Sequence, residues 1–367
     1  MAGREPGALA RGLVGGALLS AALVVAALVG VAVFGSAVVT SMLIAVTAVI
    51  GLQVYFGNSG ILSMGHAGFV ALGAYVSGIL TMPVATKATV LPQLPGWLAG
   101  IELGLPPALV VTALLVGAAA AAIGYVIVRL GGYAAAIASL GVLVIVHVVL
   151  LGVPALTRGA QTFYGIPPLT SFPVALAAAV AAVVVARLFR ESRLGLQLRA
   201  SREDELAAQS FGVNVRLRRL QAWTLGAVMA AIAGALLAHL ITAFSPKQFY
   251  FPLTFSYIIM LIIGGAATVT GAIGGAAIVL VVGEVLRTPE SGIVVAGIKL
   301  GPFFGATQIV LALLMLLVMY FRRDGLFGLR EPDEILQEWL SARRGAGKPV
   351  PPEPVADASK EVPDEGH

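Results

Sequence analysis

Long stretches without a charged residue constrain this chain more than any other feature of its sequence. Gly12–Phe34 is one of them, with twenty-three residues and no charge, and a helix needs about 20 apolar residues to cross a bilayer. Ten apolar segments cover 12–34, 36–56, 66–82, 107–128, 133–153, 173–189, 222–244, 252–265, 271–286 and 303–321. They predict an all-α polytopic membrane protein with about ten transmembrane helices, and they exclude a soluble globular domain.

The basic residues predict how the chain is oriented. With a cytoplasmic N-terminus and ten spans, eighteen of the 23 lysines and arginines fall on the cytoplasmic side. This asymmetry follows the positive-inside rule and predicts that both termini are cytoplasmic. The net charge of +5 therefore does not indicate nucleic-acid binding, and the absence of cysteine excludes thiolate metal sites. No metal site is predicted.

One segment, residues 187–221, interrupts the apolar pattern with eight arginines and four acids. A charge at mid-bilayer costs about 2.5 to 3.5 kcal/mol, so these twelve charges are expected in water, in a cytoplasmic loop. Within this segment the sequence predicts a helix over 202–211, with Ser201 as N-cap and Gly212 as its C-terminal stop. A solvated linker or a helix on the lipid surface is the alternative interpretation.

Two glycine- and serine-rich breaks, 57–66 and 264–271, separate apolar segments in the two halves of the chain. Irregular backbone at membrane depth is tolerated where it lines a cavity or is buried in protein, and paired interruptions indicate a transport pathway. Two tight turns at the membrane surface are the alternative. The residues predicted to line or adjoin the pathway are Ser59, Gly60, Ser63, Gly65, Gly264 and Gly265.

Several sequence blocks carry a family resemblance. Residues 201–215, SREDELAAQSFGVNV, resemble the coupling loop of ABC importer permeases, with Leu206 in place of the Glu of its EAA-xxx-G pattern. Residues 57–75 are similar to the segment G-x-x-G-x-L-S-x-G-x-x-x-F-x-x-x-G-A-Y of branched-chain amino acid permeases of the LivM type. Blocks 129–140, 245–249, 264–265 and 322–327 also match that family.

The resemblance implies a type II ABC importer-like permease domain over 1–329, which imports branched-chain amino acids or a related small solute by alternating access. It further implies a lipid-embedded subunit of the bacterial inner membrane, together with two ATPase subunits, a homologous second permease and an extracytoplasmic solute-binding protein. The residues expected to couple to the ATPases are Glu203, Asp204, Glu205, Leu206, Ala207, Ala208, Phe211 and Gly212.

The chain itself is not expected to be an enzyme. None of its five lysines precedes Ser or Thr, so it has no Walker A phosphate loop, and ATP is expected to bind only to partner subunits. No cofactor of its own is predicted.

Two other functions fit parts of the sequence. A proton-coupled secondary transporter would use Glu284, although Arg287 lies one helical turn away. An intramembrane serine protease would use Ser59 of the Gly57-Asn-Ser-Gly60 motif with His147 or His239. The proline- and acid-rich tail, 330–367, is predicted to be cytoplasmic and largely disordered, and no function follows from its sequence.

Overall fold

The fold is described from a computed structural model, which covers residues 7–290, 293–295, 298–300, 305–322, 324–332 and 334. Helices dominate. Their bounds are α1 Gly7–Phe34, α2 Ser36–Ser59, α3 His66–Thr81, α4 Val84–Val90, α5 Gly96–Ala99, α6 Leu105–Ile127, α7 Gly132–Gly152, α8 Pro154–Thr157, α9 Phe172–Glu191, α10 Arg193–Glu203, α11 Glu205–Ser210, α12 Val215–Ile241, α13 Phe251–Gly264, α14 Val269–Glu290 and α15 Ala306–Phe321. A 3₁₀ turn, Pro246–Phe249, precedes α13, and two short strands, β1 Ile293–Val295 and β2 Ile298–Leu300, pair antiparallel.

The helices confirm an all-α polytopic membrane protein. Within the described residues, eight helices are long and apolar enough to cross a membrane, or nine if α3 and α4, which meet at a bend of 119°, form one span. The apolar part of α15 is shorter, at Thr307–Phe321. Each predicted apolar segment is helical over most of its described residues, although 242–244 lie beyond the end of α12. The 14 residues of α13 are too few to cross a bilayer unaided, and α13 counts among the eight only together with the preceding 3₁₀ turn, as Pro246–Gly264.

The centre of the bundle is formed by α2 and α12, the most buried of the candidate spans. Small residues let these helices approach their neighbours closely. A Cβ added at Gly226 would lie 2.5 Å from the carbonyl oxygen of Gly51, and one added at Gly234 would lie 1.9 Å from that of Val70. Both glycines belong to a row of small residues at spacing four on α12, Gly226, Ala230, Gly234 and Ala238, and this row is a helix-packing surface, as such rows commonly are in membranes.

Close backbone packing at glycines also joins α13 to α14. A Cβ added at Gly275 would lie 2.0 Å from the carbonyl oxygen of Met260, and one added at Gly264 would lie 1.8 Å from that of Gly271. The chain divides into compact units at Arg330. Most of the tail, 330–367, lies outside the described residues, so the expected disorder there stays a prediction.

Candidate transport and coupling site

The charged central segment folds differently from its prediction. Asp204 has an extended backbone, with φ −148° and ψ 109°, and its side chain accepts a 2.9 Å hydrogen bond from the amide of Ala207. Asp204 is therefore the N-cap of α11, and the predicted single helix over 202–211 is wrong. Ser201, the predicted N-cap, lies inside α10, where its hydroxyl donates to the carbonyl of Leu198 at 2.7 Å. An aspartate followed directly by Glu205 caps a helix at least as well as a serine.

The predicted C-terminal stop is confirmed. Gly212 has φ +79°, the left-handed conformation that favours glycine. Its amide donates to the carbonyl of Gln209 at 2.9 Å, and the amide of Val213 donates to that of Ala208 at 3.1 Å. This pair of hydrogen bonds is the Schellman arrangement, and it fixes the direction in which the chain leaves α11.

The exposed face of α11 carries two large apolar side chains. Leu206 is 77% exposed and Phe211 is 89% exposed, and Glu203, Asp204 and Ala207 are exposed beside them. Ala208, by contrast, is only 6% exposed. It packs inside this chain, so the expectation that Ala208 faces a partner is wrong. The face available to another protein is the one around Leu206 and Phe211.

Three arginines of the central segment are buried, which corrects the expectation that all its charges lie in water. Arg187, Arg190 and Arg219 are 1%, 3% and 6% exposed. The reason is that α9 continues to Glu191 and α12 begins at Val215, so these arginines lie in helix ends packed into the bundle. Arg219 is held by Glu205 of α11 through two hydrogen bonds, at 2.7 and 3.3 Å. Such a paired guanidinium tolerates burial.

The first break starts later than its sequence indicates, because α2 continues to Ser59. The hydroxyl of Ser59 donates to the carbonyl of Tyr55 at 2.7 Å and accepts from the amide of Ile61 at 3.2 Å. Gly60 then turns the chain with φ +72°. Ser59 is buried at 5% exposure and Ser63 at 3%, whereas Gly60 at the turn is exposed, so the break is buried on both sides of one exposed glycine.

The end of this break packs against α7. The amide of Met64 donates to the hydroxyl of Ser139 at 2.9 Å, and a Cβ added at Gly65 would lie 2.5 Å from the carbonyl oxygen of Ser139. Gly65 is thus required for close packing. A bulky substitution there would disturb the fold and would not test the pathway alone.

The second break is covered by the chain that follows α15. Gly265 has φ +110°. The amides of Leu326 and Phe327 donate to the carbonyls of Ile263 and Gly264, both at 3.0 Å. The Phe327 ring also packs on α14. Block 322–327 was noted in the sequence only as a match to the permease family, and nothing in it indicated that it covers the second break.

The end of α2, which leads into the first break, meets the second break and the central segment. A Cβ added at Gly57 would lie 2.2 Å from the carbonyl oxygen of Ala266 in the second break. Arg202 of α10 donates through Nη1 to the carbonyl of Gly57 at 2.9 Å. Arg190 at the end of α9 donates to the carbonyl of Ala267. The end of α2 at the first break and the second break itself therefore each receive a guanidinium hydrogen bond from the charged segment.

A cavity of about 460 Å³ lies at this junction. It brings together the first break, α10, α11 and α12. Its lining consists of Phe56, Ser59, Gly60, Ile61, Gly132, Ser201, Arg202, Glu205, Arg219 and Ala266. Of the six predicted pathway residues, Ser59 and Gly60 line this cavity, whereas Ser63, Gly65, Gly264 and Gly265 do not.

Comparison with known proteins decides the family. The family model described as branched-chain amino acid transport system / permease component matches residues 34–321. The chain belongs to this family. The match covers the bundle from the end of α1 to the end of α15 and confirms the resemblance found in the sequence blocks.

Two curated relatives of this permease family are similar over most of the chain. The high-affinity branched-chain amino acid transport system permease protein LivM of Escherichia coli (strain K12) is 26% identical over 343 residues, which cover 84% of this chain and 72% of LivM. LivM of Salmonella typhimurium (strain LT2) is 26% identical over 327 residues, 80% of this chain and 70% of LivM. No solved structure matches the chain.

The geometry of the permease does not support a serine protease. In the described residues, the Ser59 hydroxyl is bonded to backbone groups and to no histidine. His239 contacts Ser77 at 3.0 Å, but it is fully buried and its other ring nitrogen faces the carbonyl of Pro167. His147 stacks on Tyr250. Nucleophilic catalysis needs Ser and His within hydrogen-bond reach, so the protease hypothesis is wrong.

The proton-coupled alternative loses its main argument. Glu284 pairs with Arg287 on the same helix, with a closest N–O distance of 3.6 Å. This pair is an ordinary contact between residues one helical turn apart. Family membership favours a permease component instead.

Proposed function

We propose that this chain is the membrane-spanning permease subunit of an ATP-driven importer in the bacterial inner membrane, with both termini in the cytoplasm. Separate ATPase subunits would dock on α11, and their closure would drive alternating access through α10. A homologous second permease and an extracytoplasmic solute-binding protein would complete the complex. The family match to permease components and the absence of a phosphate-binding loop support this division of labour.

The observation that carries the proposal is the contact of both helix breaks with the charged segment. Arg202 holds the carbonyl of Gly57, and Arg190 holds that of Ala267. Because hydrogen bonds with a charged donor are stronger than neutral ones, a shift of α10 would be transmitted through Arg202 to the end of α2 at the first break, and a shift of the adjoining end of α9 would be transmitted through Arg190 to the second break.

The docking face is expected to be formed by Leu206 and Phe211. Both side chains lie on the surface at more than three-quarters exposure, and full burial of such a side chain contributes about 1.5 to 3 kcal/mol. The short, capped helix α11 presents them on a fixed backbone, since Asp204 and Gly212 define its two ends. The acids Glu203 and Asp204 add negative charge beside this apolar pair.

The proposed solute is a branched-chain amino acid or a related small zwitterion. The LivM relatives are named for branched-chain amino acid transport. The cavity at the junction is polar, with Arg202 and the Arg219–Glu205 pair in its lining, and its volume of about 460 Å³ suits a small solute. We take this cavity as the inner end of the transport path.

The docking proposal is tested by exchanging the two exposed side chains. Leu206→Ala with Phe211→Ala should weaken ATPase association by a hundredfold or more, because about 3 kcal/mol of apolar burial is lost. Leu196→Ala on α10 is the matched control, since Leu196 is also apolar and 46% exposed. The measurement is the amount of ATP-hydrolysing subunit that co-purifies with the permease from its native membrane.

The control variant should retain its ATPase subunits, and the double variant should insert and fold normally while losing them. Equal co-purification with the double variant and the wild type would contradict docking on α11. A loss that also occurred with Leu196→Ala would point to a broader surface than the one proposed.

A further inference from the structure

A second basic pocket lies away from the helix breaks, where α6 ends and α12 begins. Its volume is about 280 Å³. Arg129 and Arg216 supply its charge, and the remaining side chains are aromatic, apolar or amide. The lining residues are Tyr125, Val128, Arg129, Asn214, Arg216, Leu217 and Leu220. No acid faces these two guanidinium groups from the pocket wall.

The two arginines differ from their neighbours in what they contact. Arg218 donates to Gln197 at 2.7 Å and Arg219 pairs with Glu205, so both are committed to the fold. Arg129 lies over the ring of Tyr125 at 4.1 Å. In the part of the chain that the structure describes, neither Arg129 nor Arg216 forms an ion pair. Two exposed cations without a counter-charge are thus gathered at one pocket.

The surroundings of this pocket are those of a membrane interface. Tyr125 is 57% exposed, and Val126 and Leu217 beside it are 63% and 43% exposed, on helices apolar enough to span a membrane. Aromatic and basic side chains at the ends of spanning helices lie at the level of the lipid headgroups. The N-terminus of α12 adds a partial positive charge at the same place.

We propose that this pocket binds the headgroup of an anionic phospholipid, with the phosphate between Arg129 and Arg216. Guanidinium groups hold phosphate oxygens through paired hydrogen bonds. An acyl chain would then run along the exposed apolar surface that includes Val126 and Leu217. Basic pockets between spanning helices suit anionic lipids for these reasons. The bound lipid would brace α6 against the start of α12, next to the segment that carries α10 and α11.

The test is native mass spectrometry of the full chain, purified with its co-purifying subunits in detergent and titrated with palmitoyl-oleoyl-phosphatidylglycerol. The wild type should bind this lipid saturably and should not retain the zwitterionic phosphatidylcholine. Arg129→Gln with Arg216→Gln should weaken binding about tenfold to thirtyfold, because each basic residue near an anionic lipid surface adds a roughly equal share of the attraction. Arg193→Gln is the control, as Arg193 is exposed on α10 and outside the pocket.

Each single variant should show an intermediate loss, which decides the matter even if the double variant cannot be purified. Unchanged phosphatidylglycerol binding in the pocket variants would overturn the proposal, as would an equal loss in the Arg193→Gln control. Displacement of the lipid by excess inorganic phosphate would indicate a free-anion site and overturn the lipid assignment. Absence of binding in the assembled complex would indicate that a partner subunit covers the pocket, and this result would also overturn the proposal.

Discussion

Replacing Arg202 by alanine tests the link between the charged segment and the first helix break. The variant removes the 2.9 Å hydrogen bond from the guanidinium to the carbonyl of Gly57. Hydrogen bonds with a charged partner contribute about 1.5 to 3 kcal/mol, and the lower value applies because Arg202 is solvent-exposed. A loss of about 1.5 kcal/mol corresponds to roughly a tenfold weaker coupling between α10 and the break.

The assay compares solute uptake with ATP hydrolysis in proteoliposomes that contain the complete complex. Arg202→Ala should lower the ratio of solute imported to ATP hydrolysed by about tenfold, because the ATPases still dock and turn over but their motion reaches the break less often. Arg202→Lys should be intermediate, since lysine retains the charge but lacks the planar fork. Arg193→Ala, an exposed arginine on the same helix outside this contact, should behave as the wild type.

An unchanged ratio in Arg202→Ala would refute the reasoning, because the contact would then carry no coupling. A fall in ATPase docking of the same size as the fall in uptake would also refute it, because Arg202 would then act through assembly.

Two further predictions concern packing and orientation. Gly234→Ala should lower the melting temperature of the permease, because the added Cβ would lie 1.9 Å from the carbonyl oxygen of Val70 and overpacking typically costs about 1 to 3 kcal/mol. Gly141→Ala is the control, since a Cβ added at Gly141 would have no neighbouring atom within 4 Å. Equal melting temperatures of the two variants would contradict the packing described. Ser210 and Thr89 are both exposed and lie on opposite sides of the membrane in the proposed topology. In intact cells, Ser210→Cys should therefore resist an impermeant thiol reagent, whereas Thr89→Cys should be labelled. The reverse labelling pattern would contradict this topology.

Much of the fold could be predicted, because a segment that crosses a bilayer must be apolar and long enough to span it. Uncharged runs of about 20 residues must be helical in lipid, so the spans could be predicted without knowing how the helices pack. Gly212 was identifiable as a helix stop because few other residues adopt φ +79° at low cost. The glycine-rich breaks were visible for the same reason. These features depend on local chemistry, which a sequence contains directly.

The parts that could not be predicted depend on contacts between distant segments. Nothing near Ala208 in the sequence indicates that its side chain turns inward, because that depends on how α11 packs against the rest of the chain. The burial of Arg190 and Arg219 required knowing that each has a partner, the carbonyl of Ala267 in one case and Glu205 in the other. The covering of the second break by Phe327 likewise depends on a contact between residues far apart in the sequence, since its amide donates to the carbonyl of Gly264.

The wrong prediction of a single helix over 202–211 has a local cause. Ser201 and Asp204 are both good N-caps, and the sequence offers both within four residues. The fold selects Asp204, because α10 already contains Ser201 and must end before α11 can point in a new direction. The choice between two competent caps is made by the packing of α10, which local propensity does not include.

ATPase subunits docked on this permease are proposed to drive its transport. The most direct measurement is uptake of radiolabelled leucine by proteoliposomes that contain the complex and its solute-binding protein, with ATP enclosed on the ATPase side and the proton gradient collapsed by an ionophore. Uptake should continue without the gradient, stop without ATP and be lost in Leu206→Ala with Phe211→Ala. Uptake that required the proton gradient and persisted without ATP would contradict the proposal.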